Sequence, residues 1–271
     1  ERQVAIGGGI GGGIGGGIGG GRTATHSVPG GLAAGSPAPE RRGFPPVFDR
    51  GYCDVMPVDA EQLATQRAYI LNNPRSRMLR MQHPDWLRPQ HGGIDTALTI
   101  PALRGYLLRE GAATPEALTP TMCRLLQAGG KVACDTYGNR ALLTDRRCLP
   151  VVCHRRDKGR FALQKARCLE EAAAGAVLVS ARIAHGEQDI MDEAVNSGYA
   201  VVLIADNGFP ERYHPSASRM NLCADGRLLV VTNWQYRYRP KSEAITVTEC
   251  KTMNCLAQAL CRTKDTWWQP P

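Results

Sequence analysis

Three short apolar runs limit what this chain can fold into. Ala176–Val179, Ala200–Ala205 and Leu228–Thr232 are continuously apolar or nearly so, and each comes after a stretch with helical spacing or a turn. A strand with one wet face alternates apolar and polar residues; a strand covered on both faces does not. Val132–Tyr137 and Leu149–Cys153 are two further strand candidates. Between the runs, Phe161–Ala174 is apolar at Leu163, Ala166, Leu169 and Ala173 and stops at Gly175, and Gly186–Ser197 stops at Gly198. Thr246 and Glu249 make a capping box that opens a last helix, expected to run to about Arg262. Strands alternating with helices predict an α/β fold, here a small Rossmann-like parallel sheet over residues 132–262 with helices on both faces. A preceding remnant of an α+β nuclease domain and a disordered Gly-rich tail complete the expected architecture.

The N-terminal part differs in kind. Residues 7–21 repeat Gly-Gly-Gly-Ile, and the chain stays rich in glycine and proline to Pro46. Such a stretch cannot offset its ordering entropy, so residues 1–43 read as a disordered tail. The chain starts at Glu1, which reads as a fragment. Asp59–Leu71 reads as a helix capped by Asp59 and ended by Pro74. Residues 44–90 form the expected remnant, 91–131 a helical insert or linker with helices at Ile100–Arg109 and Pro115–Gln127, and 263–271 a tail.

Charge bears on partners. The net charge is +8, and nine Lys and Arg stand between Arg140 and Arg167 against Asp145 and Asp157. That excess favours polyanions, although a solvated basic face would look the same. The ten cysteines include no Cys-x-x-Cys pair. Cys168 and Cys250 fall at apolar-periodic positions, and the set reads as reduced core thiols of a cytoplasmic protein. No segment has the length of a membrane span, and no secretory signal opens the chain.

Ligands of open parallel sheets sit at the carboxyl ends of the strands. Those ends carry Arg155 and Arg156, Ser180, Asn207 and Trp234, with Gly186 opening a helix whose free amides suit a phosphate. The alternative is that Asn207-Gly208 is only a turn and Ser180 only a helix-entry residue. Trp234 to Arg239 interleaves aromatics with arginines, Arg237 among them. Bases stack on aromatics while arginines meet phosphates, and a half-buried edge strand has the same alternation. Tyr69 and Asn73 stand four apart on one helical face, a phenol beside a potential metal ligand, and Arg75 and Arg77 follow. None of the six histidines has metal-ligand spacing, and the chain holds no His-x-His pair.

These residues carry a resemblance. Gly51-Tyr52-Cys53-Asp54 and Tyr69-Ile70-Leu71-Asn72-Asn73-Pro74 resemble the last part of the single-tyrosine HUH domain of the REP-associated tyrosine transposases. Tyr137 onward is similar to the extra C-terminal domain of a bacterial subgroup of that family, through Gly175–Ser180, Gly186-Glu187, Asn207-Gly208-Phe209 and Cys223–Leu229. The resemblance implies that Tyr69 is the nucleophile toward a DNA phosphodiester. It implies that Asn73 helps hold Mg²⁺ or Mn²⁺ beside a histidine pair; with no His-x-His in this chain, no metal is expected for it alone. It also implies single-stranded DNA as partner, no membrane, and a homodimer as an open alternative. The expected function is DNA binding by a transposase-related protein that is catalytically incomplete as written. The alternative is a non-enzymatic module that binds a nucleotide or DNA.

Overall fold

The structure, a computed structural model, describes residues 59–112, 114–153, 158–240 and 242–269. The expected tail at residues 1–43, the Gly51–Asp54 motif, Arg155 and Arg156 lie outside the described residues. The chain divides into two units between Leu71 and Asn72. The described part of the smaller unit is the start of helix α1 (Ala60–Gln82), where Asp59 Oδ1 accepts from the Gln62 amide at 2.7 Å, as the expected cap requires. Leu63, Ile70 and Leu71 on this half are exposed.

The larger unit is mixed α/β. It continues with β1 (Gln90–Thr99), α2 (Ile100–Arg109), α3 (Pro115–Cys123), β2 (Gln127–Ala128), β3 (Lys131–Gly138), α4 (Ala141–Thr144) and β4 (Cys148–Pro150). Then come α5 (Lys158–Ala173), β5 (Val177–Ser180), α6 (His185–Asn196), β6 (Val201–Ile204), α7 (Ala217–Ala224), β7 (Leu228–Thr232) and α8 (Val247–Cys261). The seven strands form one sheet in the order β1-β3-β7-β6-β5-β4, with β2 pairing β3. Strands β4 to β7 are mutually parallel.

The continuous apolar runs are explained by two cores, one on each face. Val177, Val179, Val202, Ile204, Leu229 and Val231 pack with Leu103 and Leu107 of α2, Leu118 of α3 and Met253, Leu256 and Ala257 of α8. Their neighbours Leu178, Val201, Leu203, Leu228 and Val230 pack with Cys168 and Ala172 of α5, Ile190 and Met191 of α6, and Met220 and Cys223 of α7. Successive side chains on a strand point to opposite faces, so a sheet clothed on both sides needs apolar residues at every position. Gly175, at φ +97°, ends α5 in the left-handed region that favours glycine.

The sheet is parallel over β4 to β7, as expected, and antiparallel at its other end, which corrects the expectation of a wholly parallel one. β3 runs antiparallel to β7, and both β1 and β2 run antiparallel to β3. The segment expected to be a helical insert supplies β1, a strand with two register shifts and a left-handed Gly92. Its sequence, Gln-His-Gly-Gly-Ile-Asp-Thr-Ala-Leu-Thr, has neither strict alternation nor an apolar run, so the pairing with β3 is invisible locally. Pro74 does not end α1, which continues to Gln82. Proline removes one donor and crowds the preceding turn, but the second half of the helix is held by tertiary contacts. Leu79 and Trp86 pack against the α5–α7 core, and Leu87 is buried in it. Helix α7, capped by Ser216, was not expected.

Nine cysteines among the described residues are free thiols, and Cys134, Cys168 and Cys223 are fully buried. Burial pushes each of these three thiols up to about 12, which keeps them protonated and unreactive. Among the described residues no helix is long and apolar enough to cross a membrane.

Candidate functional site

Four parallel strands lie side by side in chain order, β4 to β7, so the connections never reverse direction between them. The crevice that gives open α/β sheets their ligand site arises at such a reversal. The carboxyl edge must therefore be built by its loops, and two clusters fill it.

The first cluster lies after β5. Ser180 is fully buried, and its hydroxyl donates to Glu187 Oε2 at 3.2 Å. Glu187 also accepts from the amides of Ile183 at 2.8 Å and Cys153 at 3.4 Å. The carboxylate is 1% exposed, and burial pushes its pKa up to about 7 against the pull of these donors. Gly186 is buried, and a Cβ there would stand 2.9 Å from Cys153 Sγ and 3.1 Å from Phe161 Cε2. The first turn of α6 is thus packed with protein, and a carboxylate stands where a phosphate was expected. Arg182, in a left-handed conformation at φ +53°, turns the chain here and pairs with Asp192.

The second cluster joins the loops after β6 and β7. The Asn207 side chain acts as a clip: Nδ2 donates to the Arg237 carbonyl at 2.7 Å, and Oδ1 accepts from the Arg237 amide at 3.2 Å. The Thr232 hydroxyl donates to the Asn207 carbonyl at 2.9 Å. Asn207 is therefore more than a turn residue, since it splices two loops together. Arg239 pairs with Asp206 at 2.9 Å and Glu249 at 2.8 Å, Arg124 pairs with Glu249, and Arg237 pairs with Glu243. Burial, with Arg237 and Arg239 nearby, pulls the Arg124 pKa down, while Glu249 holds it up. Glu249 is the capping-box residue of α8, so one carboxylate anchors both a helix start and two guanidiniums.

Trp234 is fully buried, with the Arg124 guanidinium 5.2 Å from its ring centroid. It cannot offer a face to a base, which corrects the stacking role expected of it. The segment after it is not a strand. Arg237 and Arg239 turn inward to carboxylates, whereas Tyr236 and Tyr238 are 52% and 79% exposed. The sequence showed the alternation but not which members face water.

Tyr69 lies within α1, and its side chain is outside the described residues. Asn73 is exposed on the same helix. Among the described residues no group of three or more His, Cys, Asp and Glu is placed to hold a metal ion. Arg75 and Arg77 are exposed, and Arg75, Arg80 and Arg88 form no ion pair among the described residues. His91, which the sequence left without a partner, sets Nδ1 2.8 Å from Asp135 Oδ2, and the Gly92 amide holds Oδ1 at 2.9 Å. No sequence signal linked two residues 44 positions apart.

The chain matches no protein-family model, and a comparison with curated proteins found no match either.

Proposed function

We propose that this chain is a transposase-related DNA-binding protein that grips single-stranded DNA and does not cut it unaided. In this reading residues 132–262 are a Rossmann-like module of a cytoplasmic protein, and residues 44–90, to which α1 belongs, are what remains of a nuclease domain. The observation that carries it is the arginine series after Asn73: Arg75 and Arg88 are exposed and form no ion pair among the described residues, and Arg77 is exposed between them. Exposed cations near one another on the chain are suited to displacing counterions from a phosphate backbone.

Anisotropy titration of a labelled single-stranded oligonucleotide over a range of salt tests this. Affinity falls steeply with salt, and Arg75→Ala/Arg77→Ala/Arg88→Ala flattens the slope by roughly 0.7 for each phosphate no longer neutralised. An affinity indifferent to salt removes nucleic acid as the partner. The nucleotide-binding alternative needs open space at the start of α6, where Glu187, Cys153 and Phe161 stand. DNA binding is therefore the reading we favour.

A further inference from the structure

We propose that Tyr236 and Tyr238 form a two-ring platform that seats unstacked bases of single-stranded nucleic acid; this rests on the DNA-binding reading and specifies how that strand is recognised. The argument starts from burial. Along Trp234–Arg239 the aromatic at the start is fully buried, Tyr236 and Tyr238 are exposed, and Arg237 and Arg239 between and after them are half-buried. Gln235 is exposed as well, so only the two arginines of Gln235–Arg239 turn back into the fold and both rings are left on the solvent side.

The exposure of the rings is built into the fold. Arg237 is clipped through its backbone by Asn207 and through its guanidinium by Glu243. Arg239 is held by Asp206 and Glu249. Gly208 lies so close beneath that a Cβ there would be 2.3 Å from the Tyr236 amide nitrogen and 2.5 Å from the Trp234 carbonyl oxygen. The backbone under both tyrosines is therefore fixed from two sides. A backbone fixed in this way needs no further ordering when the rings it carries take a ligand.

The chemistry of the platform selects the partner. Its three arginines, Arg124, Arg237 and Arg239, are matched by Asp206, Glu243 and Glu249. The ridge is therefore near neutral and offers π-faces rather than charge. Exposed rings of this kind receive unstacked bases, which a single strand offers and a duplex withholds. Every base has a π-face, so the contact is indifferent to sequence.

The test uses the full chain and three labelled probes: a short single-stranded oligonucleotide, a strand of the same length and charge lacking its bases, and the matching duplex. The wild type is compared with Tyr236→Ala/Tyr238→Ala and Tyr236→Phe/Tyr238→Phe. The platform predicts that the wild type prefers the base-bearing strand over both other probes. It predicts that the alanine pair weakens that strand's binding by roughly 10-fold or more, while the phenylalanine pair retains it and the base-free strand binds both proteins alike. Equal binding of the base-free strand or the duplex by the wild type overturns the platform and leaves the DNA-binding reading standing. So does an alanine pair that binds like the wild type, in which case the tyrosines belong to a protein contact. Failure of the wild type to bind any probe overturns both.

Discussion

Arg239 and Glu249 form a buried ion pair, Nη2 to Oε1 at 2.8 Å, with side chains 11% and 5% exposed. Glu249 holds Arg124 as well, and it closes the capping box of α8 with Thr246. Two loops and a helix therefore depend on one carboxylate. Removing one partner of a buried pair leaves the other charged and dry, which costs about 3–5 kcal/mol. Glu249→Ala is expected to lower stability by an amount of that order, measured by urea denaturation. A decrease below about 1 kcal/mol would show that water reaches the pair and that the network is weaker than its geometry.

Glu187 gives the stability a pH dependence. Burial raises its pKa from 4.5 to about 7 in the folded chain. Below 4.5 the group is protonated in both states. As pH rises from there to about 7 the unfolded chain loses its proton first, so stability falls, by on the order of 3 kcal/mol once the folded state has ionised too. Unfolding curves taken between pH 5 and 8 should show this decline, and Glu187→Gln should flatten it. A stability that rises over this window would mean that the donors around the carboxylate outweigh its burial.

Gly208 has no room for a side chain, because all three atoms nearest its missing Cβ are backbone atoms of Trp234, Gln235 and Tyr236. Gly208→Ala should destabilise the fold by about 1–3 kcal/mol and also weaken single-strand binding, since the tyrosine ridge must lift. Calorimetry and the anisotropy titration read the two effects separately. Wild-type binding in a destabilised variant would uncouple the loop from the ridge.

Tyr69 should form no covalent adduct with DNA. The chain contains no His-x-His pair, and among the described residues none cluster as metal ligands. Incubation with single-stranded DNA and Mg²⁺ or Mn²⁺, followed by a denaturing gel, should show no shifted band. A band that disappears with Tyr69→Phe would restore the nuclease to this chain.

What the sequence disclosed follows from how local each signal is. The Thr246–Glu249 capping box, the Ile100–Arg109 helix and the runs that became β5, β6 and β7 were all legible, because caps and periodicity act over a few residues. β1 was hidden, since its strand character comes from pairing with Cys134 and Thr136 some forty residues on. Pro74 misled for a related reason: a local stop signal was overridden by the packing of Leu79 and Leu87. At the candidate site the residue types in Trp234–Arg239 could be read, but not their orientation. That depends on Asn207, Asp206 and Glu249, which arrive from other parts of the chain.

The strand order also sets a sequence of events in folding. β4, β5 and β6 each pair with the strand next in the chain, one helix away, so each step closes a short loop. The pairing of β3 with β7 brings Asp135 to Thr232, which are 232 − 135 = 97 residues apart. The entropy of closing a loop grows with its length, and contacts of long sequence separation slow folding. The parallel strands can therefore assemble stepwise, and the antiparallel edge of β3, β2 and β1 docks only when β7 is in place. Until then β7 presents an unpaired edge, and that interval is when a nascent chain is most open to pairing with another copy of itself.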